Sequence, residues 1–281
     1  MTKRGLTIEG DYMNQGYVIA RRLFDVDTIE SVRSTMVQCF KDVAGDIALP
    51  KNNDPCALLV FLSTLFKRHF NAYLGAAKLC NHIATLYQLG VNDETLNALR
   101  SVGVETPCFA ARPLVWFHHP TLARSARYER LPAHQEWSNM QGSISGAVLW
   151  SPFVDMDNTM GPLEVIEGSH TRGLGAVHTP EHSDYPLAIQ HTIDDDAFSS
   201  VLIQPGDAII FHPLLIHRSG INRSDRIRWT FNFRYNNAND PTFIERLYPN
   251  PFSYQAPTEL SDDDYTRSLL DAYREHAIAQ L

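Results

Sequence analysis

The stretch His217-Arg218-Ser219-Gly220-Ile221-Asn222-Arg223-Ser224-Asp225-Arg226-Ile227-Arg228-Trp229-Thr230-Phe231-Asn232-Phe233 decides how this chain folds. Its second half alternates. Trp229, Phe231 and Phe233 fall on one side; Arg228, Thr230, Asn232 and, one step further, Arg234 fall on the other. A period of two is that of a β-strand with one apolar and one polar face. Gly, Asn, Ser and Asp between 220 and 225 mark a tight turn, so the stretch predicts a hairpin. With Arg223 and Ser224 as loop residues, Ser219 stands opposite Arg228, and His217 shares their face.

Working outward, segments rich in Val, Ile, Phe and Trp recur at 109–117, 143–154, 163–166, 199–203 and 207–211, separated by Gly, Pro, Asn and Asp. That spacing predicts an all-β barrel or jelly roll between about 107 and 240. Upstream, residues 11–19 read as a short strand. Asp25 or Asp27 then caps a helix to about Lys41, with Ile29, Val32, Met36 and Phe40 at helical spacing. Pro55 to about Leu89 is apolar at three- and four-residue steps, and Asn92 to Leu99 gives another short helix. Ser261 with Asp264 opens a helical tail over about 258–281. No repeat or Gly/Ser linker divides the chain. The expectation is one domain over 1–281, mainly β with α additions: a double-stranded β-helix (jelly roll, cupin-like) core, N-terminal helices over about 20–105, and a C-terminal helix.

Composition narrows the function. The 281 residues are 44% hydrophobic and 20% charged, values of a folded globule. A net charge of −8, from 24 basic and 32 acidic residues, argues against a general nucleic-acid or anionic-membrane surface. Cys39, Cys56, Cys80 and Cys108 show no zinc spacing and are expected as buried free thiols in a reducing compartment. The basic start Met1-Thr2-Lys3-Arg4-Gly5 is followed by no apolar signal region, and no apolar run approaches a membrane span. The expectation is a cytoplasmic protein whose partner is a small molecule rather than nucleic acid or membrane. Oligomeric state leaves no mark on the sequence.

His134 and Glu136, in Ala133-His134-Gln135-Glu136-Trp137, would share one face of an extended strand and offer an imidazole nitrogen and a carboxylate oxygen to one ion. His217 is the third candidate, following the turn Gln204-Pro205-Gly206-Asp207 and the apolar run Ala208-Ile209-Ile210-Phe211. Two imidazoles and a carboxylate form the donor set of a non-haem iron(II) site with open positions. The chain has 12 histidines, so the pair alone is a weak signal, and His118, His119, His170 and His212 are rivals on composition. Arg228 and Ser219 beside His217 would add a grip for a carboxylate, which Arg can hold through two parallel hydrogen bonds.

These residues resemble the phytanoyl-CoA dioxygenase family of iron(II)- and 2-oxoglutarate-dependent oxygenases. The matching stretches are Asn14 to Ile19, His134-Gln135-Glu136-Trp137, Gly161-Pro162-Leu163-Glu164-Val165-Ile166-Glu167-Gly168-Ser169-His170, Pro205-Gly206-Asp207, and His217 through Arg228 with Ser219, Asn222 and Ser224. The resemblance implies iron ligands His134, Glu136 and His217, and a 2-oxoglutarate carboxylate held by Arg228 and Ser219. It implies dioxygen as the second cosubstrate and ascorbate as a candidate activator. Trp150 matches a family aromatic lining the cosubstrate pocket; as a residue it reads equally as core. Gln135 matches a family cosubstrate contact, although strand alternation turns it to the opposite face. Glu136 stands where the family most often has Asp, and Met160 where it commonly has Asn. A carboxylate at 136 favours hydroxylation over halogenation.

The implied reaction converts 2-oxoglutarate to succinate and CO2 while an unactivated C–H bond of the substrate is oxidised. Candidate substrate residues are Arg112, His118, Arg127, Tyr128, Asn232 and Arg234, with the basic segment 118–130 as a lid that would attract an anionic group. A polar small metabolite or natural-product intermediate fits them. Two other classes remain open: a non-catalytic jelly-roll binding protein with a degenerate metal site, and a zinc hydrolase, which would need no Arg228 and for which the chain lacks an HExxH helix.

Overall fold

The computed structural model describes residues 5–123, 130–181 and 185–249. In chain order they form β1 (Thr7–Asp11), α1 (Tyr12–Gln15), β2 (Tyr17–Arg21), α2 (Val26–Asp42), α3 (Pro55–Arg68), α4 (Phe70–Cys80), α5 (Ala84–Val91) and α6 (Asp93–Ser101). Then come β3 (Pro107–Phe109), β4 (Leu114–His118), α7 (Trp137–Met140), β5 (Ala147–Pro152), β6 (Leu163–Val165), β7 (Val177–His178) and β8 (Ala188–Ile189). The series ends with β9 (Ser199–Val201), β10 (Ala208–Phe211), β11 (His217–Ser219), β12 (Arg228–Asn237) and α8 (Pro241–Glu245). The segment 258–281 lies outside the described residues, and with it the expected C-terminal helix.

The helices start where the sequence supplies caps. Asp25 accepts from the Asp27 N–H to open α2, which buries Ile29, Val32, Met36, Val37 and Phe40 on one face. Asn92 accepts from the Thr95 N–H to open α6. The expected strand over 11–19 is instead two strands and a helical turn. Asp11 caps that turn by accepting from Met13 and Asn14, and Gly16 ends it at φ +85, a value that favours glycine. The segment 109–117 likewise breaks into β3 and β4.

A seven-stranded antiparallel sheet runs in the order β1-β2-β10-β5-β12-β3, with β4 also paired to β12. The fold is therefore mixed α/β around a large antiparallel sheet. A smaller sheet, β11-β6-β9, is joined through His134, which bridges both to His217 of β11 and to Ala188 of β8. The apolar face of β12 carries the core. Trp229 meets Phe117 at 4.6 Å, Phe231 meets Phe24 at 5.7 Å, and Phe233 meets Phe109 at 5.9 Å between ring centroids. Phe117 in turn meets Phe40 of α2, and the Tyr235 hydroxyl donates to the Gly90 carbonyl of α5. The helical layer thus covers that face and leaves the Arg228 side of the strand to the site.

The expected hairpin does not form. β11 pairs with β6 (Ser219 opposite Leu163), whereas β12 pairs with β4 (Arg228 opposite His118) and with β5 (Asn232 opposite Trp150). Residues 220–227 carry the chain from the small sheet to the large one. Asn222 shapes the crossing: its amide donates to the His118 and Arg226 carbonyls, and its oxygen accepts from the Ser224 N–H and hydroxyl. All four cysteines are free thiols, but only Cys80 is buried and Cys108 is exposed, correcting the expectation of four buried ones.

Candidate metal centre and carboxylate site

His134 and His217 are directly opposed in an antiparallel bridge: the His134 N–H donates to the His217 carbonyl at 3.0 Å, and the reverse bond is 3.1 Å. Opposed residues project to the same face, which brings the rings to 4.2 Å between centroids. Each Nδ1 sits beside the carbonyl two residues upstream, Pro132 for His134 (2.8 Å) and Leu215 for His217 (2.9 Å). Donation there leaves both Nε2 atoms as acceptors facing the cavity. Glu136 is reached by a turn rather than an extended strand, since its backbone (φ −68, ψ −25) begins α7. Its Oε1 lies 3.9 Å from His134 Nε2 and 3.8 Å from His217 Nε2. The three residues are buried, with donor atoms all within 4.8 Å of one another.

The arrangement is laced at its back. Gln135 donates to the Gly173 and Leu214 carbonyls and accepts from the Gly175 N–H, while the Trp137 N–H donates to Pro213. The Gln135 amide, the expected cosubstrate contact, is therefore engaged with backbone and lies outside the cavity lining. The Gly-Ser-His motif does related work: Ser169 Oγ accepts from the Ile216 N–H, one residue before the ligand candidate. His170 faces the Met13 carbonyl away from the centre.

Electrostatics favour ligation. Burial alone would raise the Glu136 pKa, but the charge of Arg234 and the two imidazoles hold it well below the ordinary value. His217 is pushed below its ordinary 6.5 by burial first and His134 second, against the pull of Glu136. The centre thus presents an ionised carboxylate and a neutral His217 ring to a divalent ion.

A cavity of about 390 Å³ opens from this centre. Trp150, Leu163, Phe211, Ser219, Arg228, Thr230, Asn232 and Arg234 line it, as do Trp116, Phe117, His118, Arg130, Leu131, Tyr185 and Arg218. Alternation along β12 therefore reads correctly, and Ser219 and Arg228 share the cavity although they sit in different sheets. Arg112 is exposed in the β3–β4 connection and outside the lining. Arg127 and Tyr128 lie outside the described residues. Arg234 lines the cavity but is committed: Nε donates to Glu136 Oε2 at 2.8 Å and Nη2 to Oε1 at 3.1 Å. The expected substrate residue is thus also the ion-pair partner of a ligand candidate. Tyr185, which no sequence signal singled out, sets its ring edge against His134 and accepts from Asn139.

Arg228 is the informative cation. Fully buried, it donates through Nη1 only to the Gly161 and Gly220 carbonyls, and its Nε has no partner among the described residues. Burial lowers its pKa from 12.5 to about 10, with only Glu164 opposing at a distance. Arg218 differs, being paired with Glu164 and Asp195. A buried guanidinium with an unused N–H at a cavity wall fits an incoming carboxylate.

The family model for phytanoyl-CoA dioxygenase (PhyH) matches residues 12–230. The chain belongs to the phytanoyl-CoA dioxygenase family. The peroxisomal phytanoyl-CoA dioxygenase of Rattus norvegicus is 22% identical over 240 residues, covering 81% of this chain and 67% of that protein. The Bos taurus protein is 29% identical over 116 residues, which span 39% of this chain and only 34% of the relative. The 1-deoxypentalenic acid 11-beta-hydroxylase of Streptomyces exfoliatus is 24% identical over 216 residues, covering 74% and 71%. Among solved structures, the apo non-heme monooxygenase ThoJ superposes with a TM-score of 0.58 at 16% identity, covering 96% of this chain and 94% of that one. The epimerase SnoN, solved with Fe3+, alpha ketoglutarate and nogalamycin RO, gives 0.55 at 17% identity over 90% and 93%. These likenesses support the fold. Among the described residues no helix is long and apolar enough to cross a membrane.

Proposed function

We propose that this protein is an iron(II)- and 2-oxoglutarate-dependent dioxygenase that oxidises, most simply by hydroxylation, an unactivated C–H bond of a small molecule. The single observation that carries the reading is the pairing of the His134–Glu136–His217 cluster with the unsatisfied Arg228 in one cavity. A metal site alone would not need the second feature, and a zinc hydrolase has no use for it. Family membership and the large antiparallel sheet support the same conclusion, as does the iron and alpha ketoglutarate held by SnoN.

The roles follow from position. His134, Glu136 and His217 would hold iron(II), and the face turned to the cavity is left for cosubstrates. Bound iron would supply the activation of dioxygen coupled to decarboxylation of 2-oxoglutarate, giving succinate and CO2. Arg228 donates to the distal carboxylate of 2-oxoglutarate, with the Ser219 hydroxyl beside it. Trp150, Leu163 and Phe211 exclude water from that end. Thr230 and Asn232 face the remaining space, and the buried Asn232 Oδ1 has no partner among the described residues. An acceptor left this way suits a hydroxyl or amine on the substrate, so the substrate is a partly polar small molecule. A purely non-catalytic binding role is disfavoured because Glu136 keeps an ionised oxygen turned toward both imidazoles.

Adding iron(II) and 2-oxoglutarate under anaerobic conditions should produce a weak visible charge-transfer band, and admitting air should give slow succinate formation. Absence of both rejects the reading.

A further inference from the structure

A glutamate side chain that is free to rotate can close both of its oxygens on one ion. In Glu136 the two oxygens have different surroundings. Oε1 is turned to the imidazole nitrogens at 3.8 and 3.9 Å. Oε2 accepts from Arg234 Nε at 2.8 Å and from Asn139 Nδ2 at 3.4 Å. The second arm of the guanidinium, Nη2, reaches Oε1 at 3.1 Å and completes a two-bond fork. Both side chains are buried, at 8% and 3% exposure, so solvent does not screen the pair.

We infer that Arg234 is a positioning residue that keeps the cosubstrate positions open. It ties Oε2 closely through Nε and, while touching Oε1 through Nη2, keeps that oxygen turned to the imidazoles with a lone pair for the metal. The inference rests on the reading of this cluster as a metal centre. Arg234 also balances the carboxylate charge, so the centre of two histidines, one glutamate and one arginine is neutral when both imidazoles are unprotonated. The arginine therefore lowers the attraction for a divalent cation and secures the coordination geometry in exchange. Loss of an ordinary outer partner has the opposite effect on affinity, weakening metal binding by roughly 10- to 100-fold.

The test uses the full chain and Co(II) as the probe ion. Co(II) affinity is measured by competition with a chelator, then 2-oxoglutarate affinity by calorimetry on the Co(II)-loaded protein. In Arg234→Met the cation is gone and Oε2 is released. Co(II) should bind at least about tenfold more tightly, because a positive charge beside a divalent ion has been removed. 2-Oxoglutarate should bind about tenfold more weakly, because the second oxygen now occupies a position that it needs. Arg234→Lys keeps the charge and loses the fork, which guards against a Met variant that does not fold. It should hold Co(II) within about threefold of wild type yet still bind 2-oxoglutarate more weakly. Weaker Co(II) binding by the Met variant, or unchanged 2-oxoglutarate affinity in both variants, overturns the role given to Arg234. Failure of the wild-type protein to bind Co(II) overturns the metal reading itself and this inference with it.

Discussion

Replacing Arg228 by Met should separate the cosubstrate site from the metal site, and the structure sets the size of the effect. The guanidinium is fully buried, and its pKa falls from 12.5 to about 10 because burial disfavours the charge. At about 1.4 kcal/mol for each factor of ten, that fall corresponds to roughly 3 kcal/mol of unfavourable desolvation. A docked carboxylate relieves a cost of this order, so the variant should lose about 100-fold in 2-oxoglutarate affinity. Truncating one partner of a buried charge pair usually costs about 2–5 kcal/mol, which brackets the figure. The ligand-free fold should change little. The variant gives up donation to the Gly161 and Gly220 carbonyls, about 1 kcal/mol each, while shedding the buried charge. Calorimetric titration of 2-oxoglutarate into metal-loaded protein reads the loss, and a chelator competition reads metal affinity separately. A 2-oxoglutarate affinity within threefold of wild type, or a parallel fall in metal affinity, would refute the reasoning.

Two further outcomes test the frame around the site. Gly161 has φ +67, and a Cβ there would lie 2.5 Å from the Gly220 carbonyl group, so Gly161→Ala should destabilise the protein by roughly 2 kcal/mol or more in urea unfolding. It should also weaken 2-oxoglutarate binding, because both carbonyls that hold Arg228 move; unchanged stability and binding would contradict the close approach. Asp240 is a pH probe: burial would raise its pKa, but bonds from the Ser145 N–H and hydroxyl, the Thr242 hydroxyl and the Phe243 N–H bring it down to about 2. A carboxylate depressed in the folded state stabilises above its unfolded value and loses that contribution as pH falls from about 4 to 2. Wild type should therefore lose about 2 kcal/mol more than Asp240→Asn between pH 6 and pH 2. Parallel acid unfolding of the two proteins would remove Asp240 from the account.

How far the site was legible depended on which rule carried each residue. Alternation along β12 placed Arg228, Thr230, Asn232 and Arg234 on one face because side-chain direction in a strand is local. The partner of that strand is not local. Asn222 and Ser224 are good turn formers, and they do form a turn, but it carries the chain between sheets and does not fold β12 onto β11. Ser219 and Arg228 still meet in the cavity because the two sheets face it from different sides. His134 and Glu136 came together for a different reason than strand periodicity: His134 is a bridge residue and Glu136 begins a helix. Long-range partners such as Leu214 for Gln135, 79 positions apart, leave no trace in one sequence. The same holds for Tyr185.

The contrast between Arg228 and Arg234 argues that β12 is the common frame of the site. Both project from the same face of one ten-residue strand, six positions or about 20 Å apart along the backbone. Arg234 is paired with Glu136 through a fork and Arg228 is left with an unused N–H, although both are buried. A chain that only needed charges buried for stability would pair both, since an unmatched buried cation is costly. Here the cost is concentrated at the end of the strand where a carboxylate can relieve it, and removed at the end where a metal ion would be repelled. β12 is held between β4, β3 and β5 and backed by Trp229, Phe231, Phe233 and Tyr235, so the separation between those two ends is fixed before any ligand arrives. On the proposed function, metal and cosubstrate would meet a site already spaced for both, because one strand carries the arginine that holds Glu136 and the arginine that faces the cavity with an unused N–H.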